Sequence, residues 1–183
     1  MPLFTVWLAR DGQEENVPGG VYTWGGLDTD HCGSAIGFQP LSTATYYQFR
    51  LSSVHLDYYE YSKGWEAISD TGTSMIRGPD DIIDGLARAA GARLNPDSEF
   101  WDIPCSSMSA DLILGIGAMT LTVSSENLVS STVDGIDDMC ILSLSGFTGG
   151  GFGPEWILGY PFIRDYCNIY DMGNKRIGFA PAI

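Results

Sequence analysis

Short apolar runs that alternate along the chain, each bounded by glycine, proline or aspartate, constrain this sequence more than any other feature. "LFTVWLA", "GGVYTWGG", "YYQFRLSSVHL", "WEAIS", "MTLTVS", "MCILSLSGF" and "CNIYDMGNKRIGFA" carry apolar residues at a period near two. That spacing puts the side chains of an extended strand on one face. Runs of this length, rich in β-branched and aromatic residues and separated by turn formers, predict strands and hairpins. The chain therefore reads as mostly β. In the last run Gly173-Asn174 marks the turn of a C-terminal hairpin, because glycine accepts a positive φ without a steric penalty.

One segment departs from the pattern. Residues 78–92, "GPDDIIDGLARAAGA", place Pro79 near a helix start, Asp80 and Asp81 in the first turn, and Gly91 at the end. Ile82, Ile83, Leu86, Ala87 and Ala90 then share one face at helical spacing, so this helix should pack on the sheet. A second, short helical turn is expected from Pro161, with Phe162 and Ile163 pointing inward. "GFTGGGFGPEW" at 146–156 lacks the Lys-Ser/Thr of a phosphate loop and reads as a flexible surface loop.

The 183 residues suit one domain with a substantial core. No run approaches the roughly 20 apolar residues needed to span a membrane. The N-terminus "MPLFTVWLARDGQEE" lacks the basic region and small-residue cleavage site of a leader, so Met1 reads as a start placed on a processed or excised segment. A formal charge of −14 repels phosphate backbones and anionic bilayers, which argues against nucleic-acid and membrane partners. It also suits an acidic compartment: protonating the carboxylates first relieves self-repulsion and leaves only nine Lys and Arg and two His charged.

Cys32, Cys105, Cys140 and Cys167 show no C-x-x-C spacing. With only two histidines beside them, zinc ligation is weakly supported. An even number favours disulfides in an oxidising compartment, with three pairings open and buried free thiols as the alternative. His31, in a Gly- and Asp-rich turn, reads as a surface residue. His55, alternating with Val54 and Leu56, should face solvent. Neither has a serine or cysteine arrangement that would make a triad.

The stretch "EAISDTGTSMIRGP" at 66–79 carries the one chemical signal. Apolar pairs on either side of Asp70-Thr71-Gly72 describe a strand that delivers a carboxylate into a tight turn and then withdraws. Gly72 lets the backbone pass close by, and Thr71 and Thr73 can donate hydrogen bonds that hold and ionise Asp70. An ordinary turn built by an aspartate side chain is the competing reading. A second turn, Ile157-Leu158-Gly159 in "WILGYPFIRDY", lies far downstream. Acid-base chemistry with carboxylates usually uses two of them held together, yet no second Asp-Thr-Gly or Asp-Ser-Gly occurs in the chain.

"LFTVWLARD", "GGVYTWGGLD", "PLSTATYYQFRLSSVHL", "AISDTGTSMIRGP" and "WILGYPFIRDYCNIYDMGNKRIGFAPA" resemble, in order and spacing, the C-terminal lobe of the pepsin-like aspartic endopeptidases. "TYYQFRL" and "RDYCNIYDMGN" are most similar to the secreted digestive proteases of nematodes. The resemblance covers essentially the whole chain. It implies that residues 1–183 form a single lobe of the bilobal pepsin-like fold, with one main helix and a short second one, the N-terminal lobe and its flap being absent. It implies that Asp70 is one of two catalytic aspartates. Thr71 would lock the active-site loops of the two lobes together, and Thr73 would support the carboxylate. Ser74, Met75 and Ile163 would approach substrate, and Ile157-Leu158-Gly159 would lie beneath the catalytic loop. It further implies bridges Cys105–Cys140 and Cys32–Cys167, derivation from a zymogen, and a secreted, lysosomal or gut-lumen location. No metal or cofactor is implied. Tyr160 departs from the family, most members of which are acidic there. That departure puts the expected pH profile in doubt unless Tyr160 is a packing substitution.

On this reading the partners are the N-terminal lobe of the same protease and a peptide or protein substrate, and the isolated chain is catalytically silent. Two alternatives are a stand-alone binding or antigenic lobe, and a homodimer in the manner of retroviral proteases. Removal of the partner lobe should expose an apolar face around Phe4, Val6, Ile157 and Leu158 and promote self-association.

Overall fold

A computed structural model describes residues 1–10, 18–107, 110–132, 138–147 and 153–183. Its strands, numbered along the chain, form three sheets. The first runs in the order β2 (Gly20–Trp24), β1 (Leu3–Leu8), β15 (Tyr166–Asp171), β16 (Arg176–Pro181) and β3 (Gly37–Pro40), all antiparallel. The second is seven-stranded: β10 (Met119–Val123), β9 (Leu112–Ile116), β4 (Phe49–Leu56), β5 (Tyr59–Ser69), β14 (Trp156–Leu158), β6 (Ile76–Gly78) and β13 (Leu144–Gly146). A small third sheet orders β11 (Val129–Thr132), β12 (Met139–Leu142), β8 (Trp101–Pro104) and β7 (Arg93–Leu94). The mostly β expectation holds.

Strand β4 shows how sequence becomes packing. Phe49 and Leu51 are buried, and then Val54 and Leu56, so the inward phase flips from odd to even numbers. The flip coincides with a break in register against β5, where Leu51 pairs with Trp65 but Ser53 with Ser62. His55 is thereby kept out of the core, on the outward face, where its Nε2 meets the Asp57 carbonyl at 2.6 Å.

The main helix, α1 (Asp80–Ala89), is shorter than the expected 78–92. Pro79 is its N-cap, and the Pro79 carbonyl accepts from the backbone N–H groups of Ile82 and Ile83. At the other end Gly91 (φ 84°) donates to the Arg88 carbonyl and Ala92 to that of Ala87, a Schellman closure. Ile82, Ile83, Leu86 and Ala87 are buried as expected, at roughly 2 kcal/mol for each of the large side chains. Ala89 takes the buried place expected for Ala90, which becomes the half-buried cap. The short helix expected from Pro161 is α3 (Tyr160–Asp165), with Phe162 and Ile163 fully buried. Another turn of helix, α2 (Ser125–Leu128), had no expectation behind it, being too short to show a period.

The core gathers Trp65, Trp156, Phe49, Phe162 and Phe179, with Trp65 edge-on to Trp156 at 5.6 Å. Cys32–Cys167 ties residues 135 apart to the first sheet, and Cys105–Cys140 closes a loop of 35 between the third-sheet strands. On the chain-entropy account such loops contribute roughly 4–5 kcal/mol each by restricting the unfolded chain.

Several expectations need correction. Val6 and Leu158 have no exposed surface, because the inward faces of β1 and β14 pack into the main core. Exposed apolar area lies instead on the edge strand β2, where Tyr22 is 48% and Trp24 73% exposed. The C-terminal hairpin turns at 172–175 as expected, but the left-handed residue is Lys175 (φ 50°). Gly173 serves a different need, since a Cβ there would lie 2.6 Å from the Pro2 ring. His31 is half-buried, its ring stacked on Trp7 at 4.3 Å. Of the glycine-rich loop, residues 148–152 lie outside the described residues.

Candidate active site

Asp70 stands at the end of β5, where the chain turns through residues 70–75 into β6. Strand β14 is inserted between these two. It pairs in parallel with β5, Ile157 opposite Ile68 and Leu158 opposite Ser69, and antiparallel with β6, Leu158 opposite Ile76. The turn therefore arches over the end of β14, which carries Ile157 and Leu158 and leads into Gly159. Two backbone bonds seat it: Asp70 N–H donates to the Leu158 carbonyl at 3.0 Å, and Tyr160 N–H to the Thr73 carbonyl at 2.9 Å. Gly159 is the residue that permits the fit. A Cβ there would lie 2.2 Å from the Thr73 carbonyl oxygen and 2.3 Å from that of Met75, both backbone atoms.

The Asp70 carboxyl group is half-buried and is held by its own turn. Gly72 N–H donates to one oxygen at 2.9 Å, and the Thr73 hydroxyl donates to the other. Among the described residues the Thr71 hydroxyl finds no partner and stays half-exposed, while Ser74 is exposed and Met75 half-exposed beside it. Ile163, which the resemblance puts near substrate, is a residue of α3 and fully buried. Tyr160 lies under the Arg164 guanidinium, 5.9 Å from its ring centroid, a packing arrangement.

One member of the site escaped the sequence reading. The Ser69 and Tyr170 hydroxyls, 101 residues apart, form a buried 2.8 Å hydrogen bond directly behind Asp70. Burial is the main influence raising the Tyr170 phenol above its ordinary range. The bond to Ser69 opposes the shift, and nearby Tyr22 and Asp70 add to it. The serine was visible as the residue before Asp70. No local pattern could pair it with a tyrosine in another sheet.

A carboxyl group with two donors and open lone pairs can accept a proton from water or hold one for delivery. It cannot do both at once. No group of acidic, histidine or cysteine side chains able to hold a metal ion occurs among the described residues. A cavity of about 840 Å³ opens between β6 and α1, lined by Arg77, Asp80, Asp84, Glu99 and Trp101 among others; Asp70 does not line it. Arg77 there lies over the Phe147 ring at 5.0 Å.

The chain was also compared with known proteins. The family described as eukaryotic aspartyl protease matches residues 1–182. Aspartic protease 6 of Caenorhabditis elegans is 48% identical over 182 residues, covering 100% of this chain and 46% of that protein. Aspartic protease 2 of Necator americanus is 42% identical over 179 residues, covering 98% and 41%. Mouse cathepsin E is 31% identical over 197 residues, covering 100% and 46%. The chain thus spans a little under half the length of these relatives.

Proposed function

This chain belongs to the eukaryotic aspartyl protease family, and from that premise we propose that it is the C-terminal lobe of an acid-acting aspartic endopeptidase, with Asp70 one of its two catalytic carboxylates. The observation that carries the proposal is the state of Asp70: half-buried at the head of a turn, held by Gly72 and Thr73, and without a cationic partner among the described residues. The second aspartate and the flap belong to a preceding lobe, in keeping with relatives more than twice as long.

In the assembled cleft the two carboxyl groups share one proton, because adjacent negative charges cannot both persist. One takes a proton from the attacking water while the other donates to the scissile carbonyl. Asp70 performs one of these transfers, and Gly72 N–H and the Thr73 hydroxyl keep its carboxyl plane fixed through the cycle. Thr71, whose hydroxyl has no partner among the described residues, reaches the opposing loop. Ser74 and Met75 border the bound peptide. The two disulfides and the acidic surface suit an oxidising, acidic compartment such as a lysosome or gut lumen.

The test compares the intact two-lobed protein with residues 1–183 alone on a denatured globin at acidic pH. Hydrolysis by the intact protein, its loss in Asp70→Asn, and silence of the isolated chain are the expected results. Turnover by monomeric 1–183, or an active Asp70→Asn enzyme, would overturn the proposal.

A further inference from the structure

The Asp70 carboxyl group is held by donors from its own turn, so its aim depends on how that turn is referenced to the rest of the molecule. The two backbone bonds described above both lead to β14 and its end, inside the seven-stranded sheet. The third attachment is of another kind. Ser69, the last residue of β5 and the one preceding Asp70, is tied by its hydroxyl to Tyr170 on β15, in the five-stranded sheet.

Tyr170 is a fixed post. It is 4% exposed, its ring stacked on Phe4 at 4.6 Å and met edge-on by Tyr47 at 4.9 Å. Phe4 and Tyr170 are also opposite each other across the β1–β15 ladder, so the stack is held by backbone register as well. Burying two hydroxyls costs free energy unless each is bonded, and here each satisfies the other. A phenol is the stronger donor and an alkyl hydroxyl the better acceptor, which favours donation from Tyr170 to Ser69. Purely apolar neighbours would fill the same space without directional demand. A bonded pair fixes both distance and angle.

Resting on the reading of Asp70 as a catalytic carboxylate, we propose that Tyr170 is a positioning residue for Asp70, acting through Ser69 to reference the catalytic turn to the five-stranded sheet. The turn is then held from two sheets, and its first residue cannot shift along β14 without breaking the buried bond. Proton transfer is sensitive to sub-ångström placement of the carboxyl group, whereas binding of an extended peptide along the cleft is not. Loss of the hydroxyl pair should therefore lower kcat and leave KM in place.

The experiment uses the intact two-lobed enzyme with Tyr170→Phe, Ser69→Ala, both together, and Ser69→Thr. Rates are taken per folded molecule, well below the unfolding temperature. Tyr170→Phe keeps the ring and its stack on Phe4. Expected are a fall in kcat of about tenfold in either single variant with KM within twofold, and no further loss in the double variant, because the two hydroxyls act as one unit. Ser69→Thr, which restores a hydroxyl, should recover most of the rate. If Tyr170→Phe folds poorly, Ser69→Ala reads the same bond from its other end. Single variants with kcat within twofold of the parent, losses that multiply in the double variant, or a change in KM alone would overturn the inference. Asp70→Asn, run in parallel, separates the two levels. If it stays active the catalytic reading has failed, and if it is silent while Tyr170→Phe is fully active only the positioning role has failed.

Discussion

Asp28 and Asp70 build nearly the same turn and end in opposite surroundings. Asp28 accepts from the backbone N–H of Asp30 at 3.0 Å and of His31 at 3.0 Å; Asp70 accepts from Gly72 N–H and the Thr73 hydroxyl, again two and three residues on. The difference lies beyond the turn. Asp28 is only 7% exposed, and its other oxygen is met by His31 Nδ1 at 2.9 Å under the ring of Trp7. Asp70 is half-open and has no cationic partner among the described residues. Asp171 follows the first pattern: almost fully buried, it accepts from Asn174 at 2.8 Å and from Arg176 Nε at 2.7 Å. A carboxylate saturated by cation and backbone is structural, and one held only along its own turn remains free for a substrate or a second carboxyl group.

Exchanging each aspartate for asparagine is the sharpest way to break that comparison. In the intact enzyme Asp70→Asn should cost turnover on the order of 10⁴-fold, the upper range of acid-base catalysis. Its melting temperature should move by no more than about 2 °C, as for an exposed substitution. Asp28→Asn should do the reverse, retaining turnover per folded molecule and lowering the melting temperature. An Asp28→Asn enzyme that is stable but slow would dissolve the distinction.

Gly159→Ala tests whether the Asp70 turn is seated by backbone packing and not by ions. A methyl group forced against the Thr73 and Met75 carbonyls has only main chain to displace, so a loss of about 3 kcal/mol in denaturant unfolding is expected.

 Because Met75 and Thr73 lie on the turn itself, the same variant should also slow turnover in the intact enzyme.

Asp171→Asn is expected to cost about 2 kcal/mol, since it removes a charge-assisted bond to Arg176 while leaving most of the turn. The smallest effect is the response to acid. Burial alone would raise the Asp28 and Asp171 carboxyl groups. Hydrogen bonds from His31 and Asp30 to the first, and from Asn174 and Arg176 to the second, outweigh it and hold both below the ordinary aspartate range. A folded-state value below the unfolded one means that the stability these groups contribute is fully present above about pH 3.9 and is lost as pH falls through the lower folded value. Thermal unfolding between about pH 2 and 5 should therefore steepen at the acid end for the parent chain. In Asp28→Asn and Asp171→Asn the slope should flatten, and an unchanged slope would show that other carboxylates govern acid unfolding.

Much of this was legible before any fold was known. The strand runs, the hairpin at 172–175, the helix carrying Ile82, Ile83 and Leu86, and the Asp70 turn all come from local rules: a period of two, a period of 3.6, turn formers and caps. Strands β8 and β9 were missed because "WDIP" and "LILGI" are too short or too uniformly apolar to show alternation. The outward assignments of Val6 and Leu158 failed for a related reason. Each was judged as the surface of a half-molecule, whereas the lobe closes a core of its own around them.

The amino-acid order alone determined that this chain is a β protein carrying one activated-looking aspartate in a glycine turn, because hydrophobic period and turn chemistry act over a few residues. Only the tertiary structure decided what stands behind that aspartate: β14 threaded between β5 and β6, Gly159 under the turn, and the Ser69–Tyr170 bond between two sheets. Those contacts join residues roughly 80 to 100 apart. They exist because burial of the shared core brings distant strands into register, and no local preference encodes that meeting.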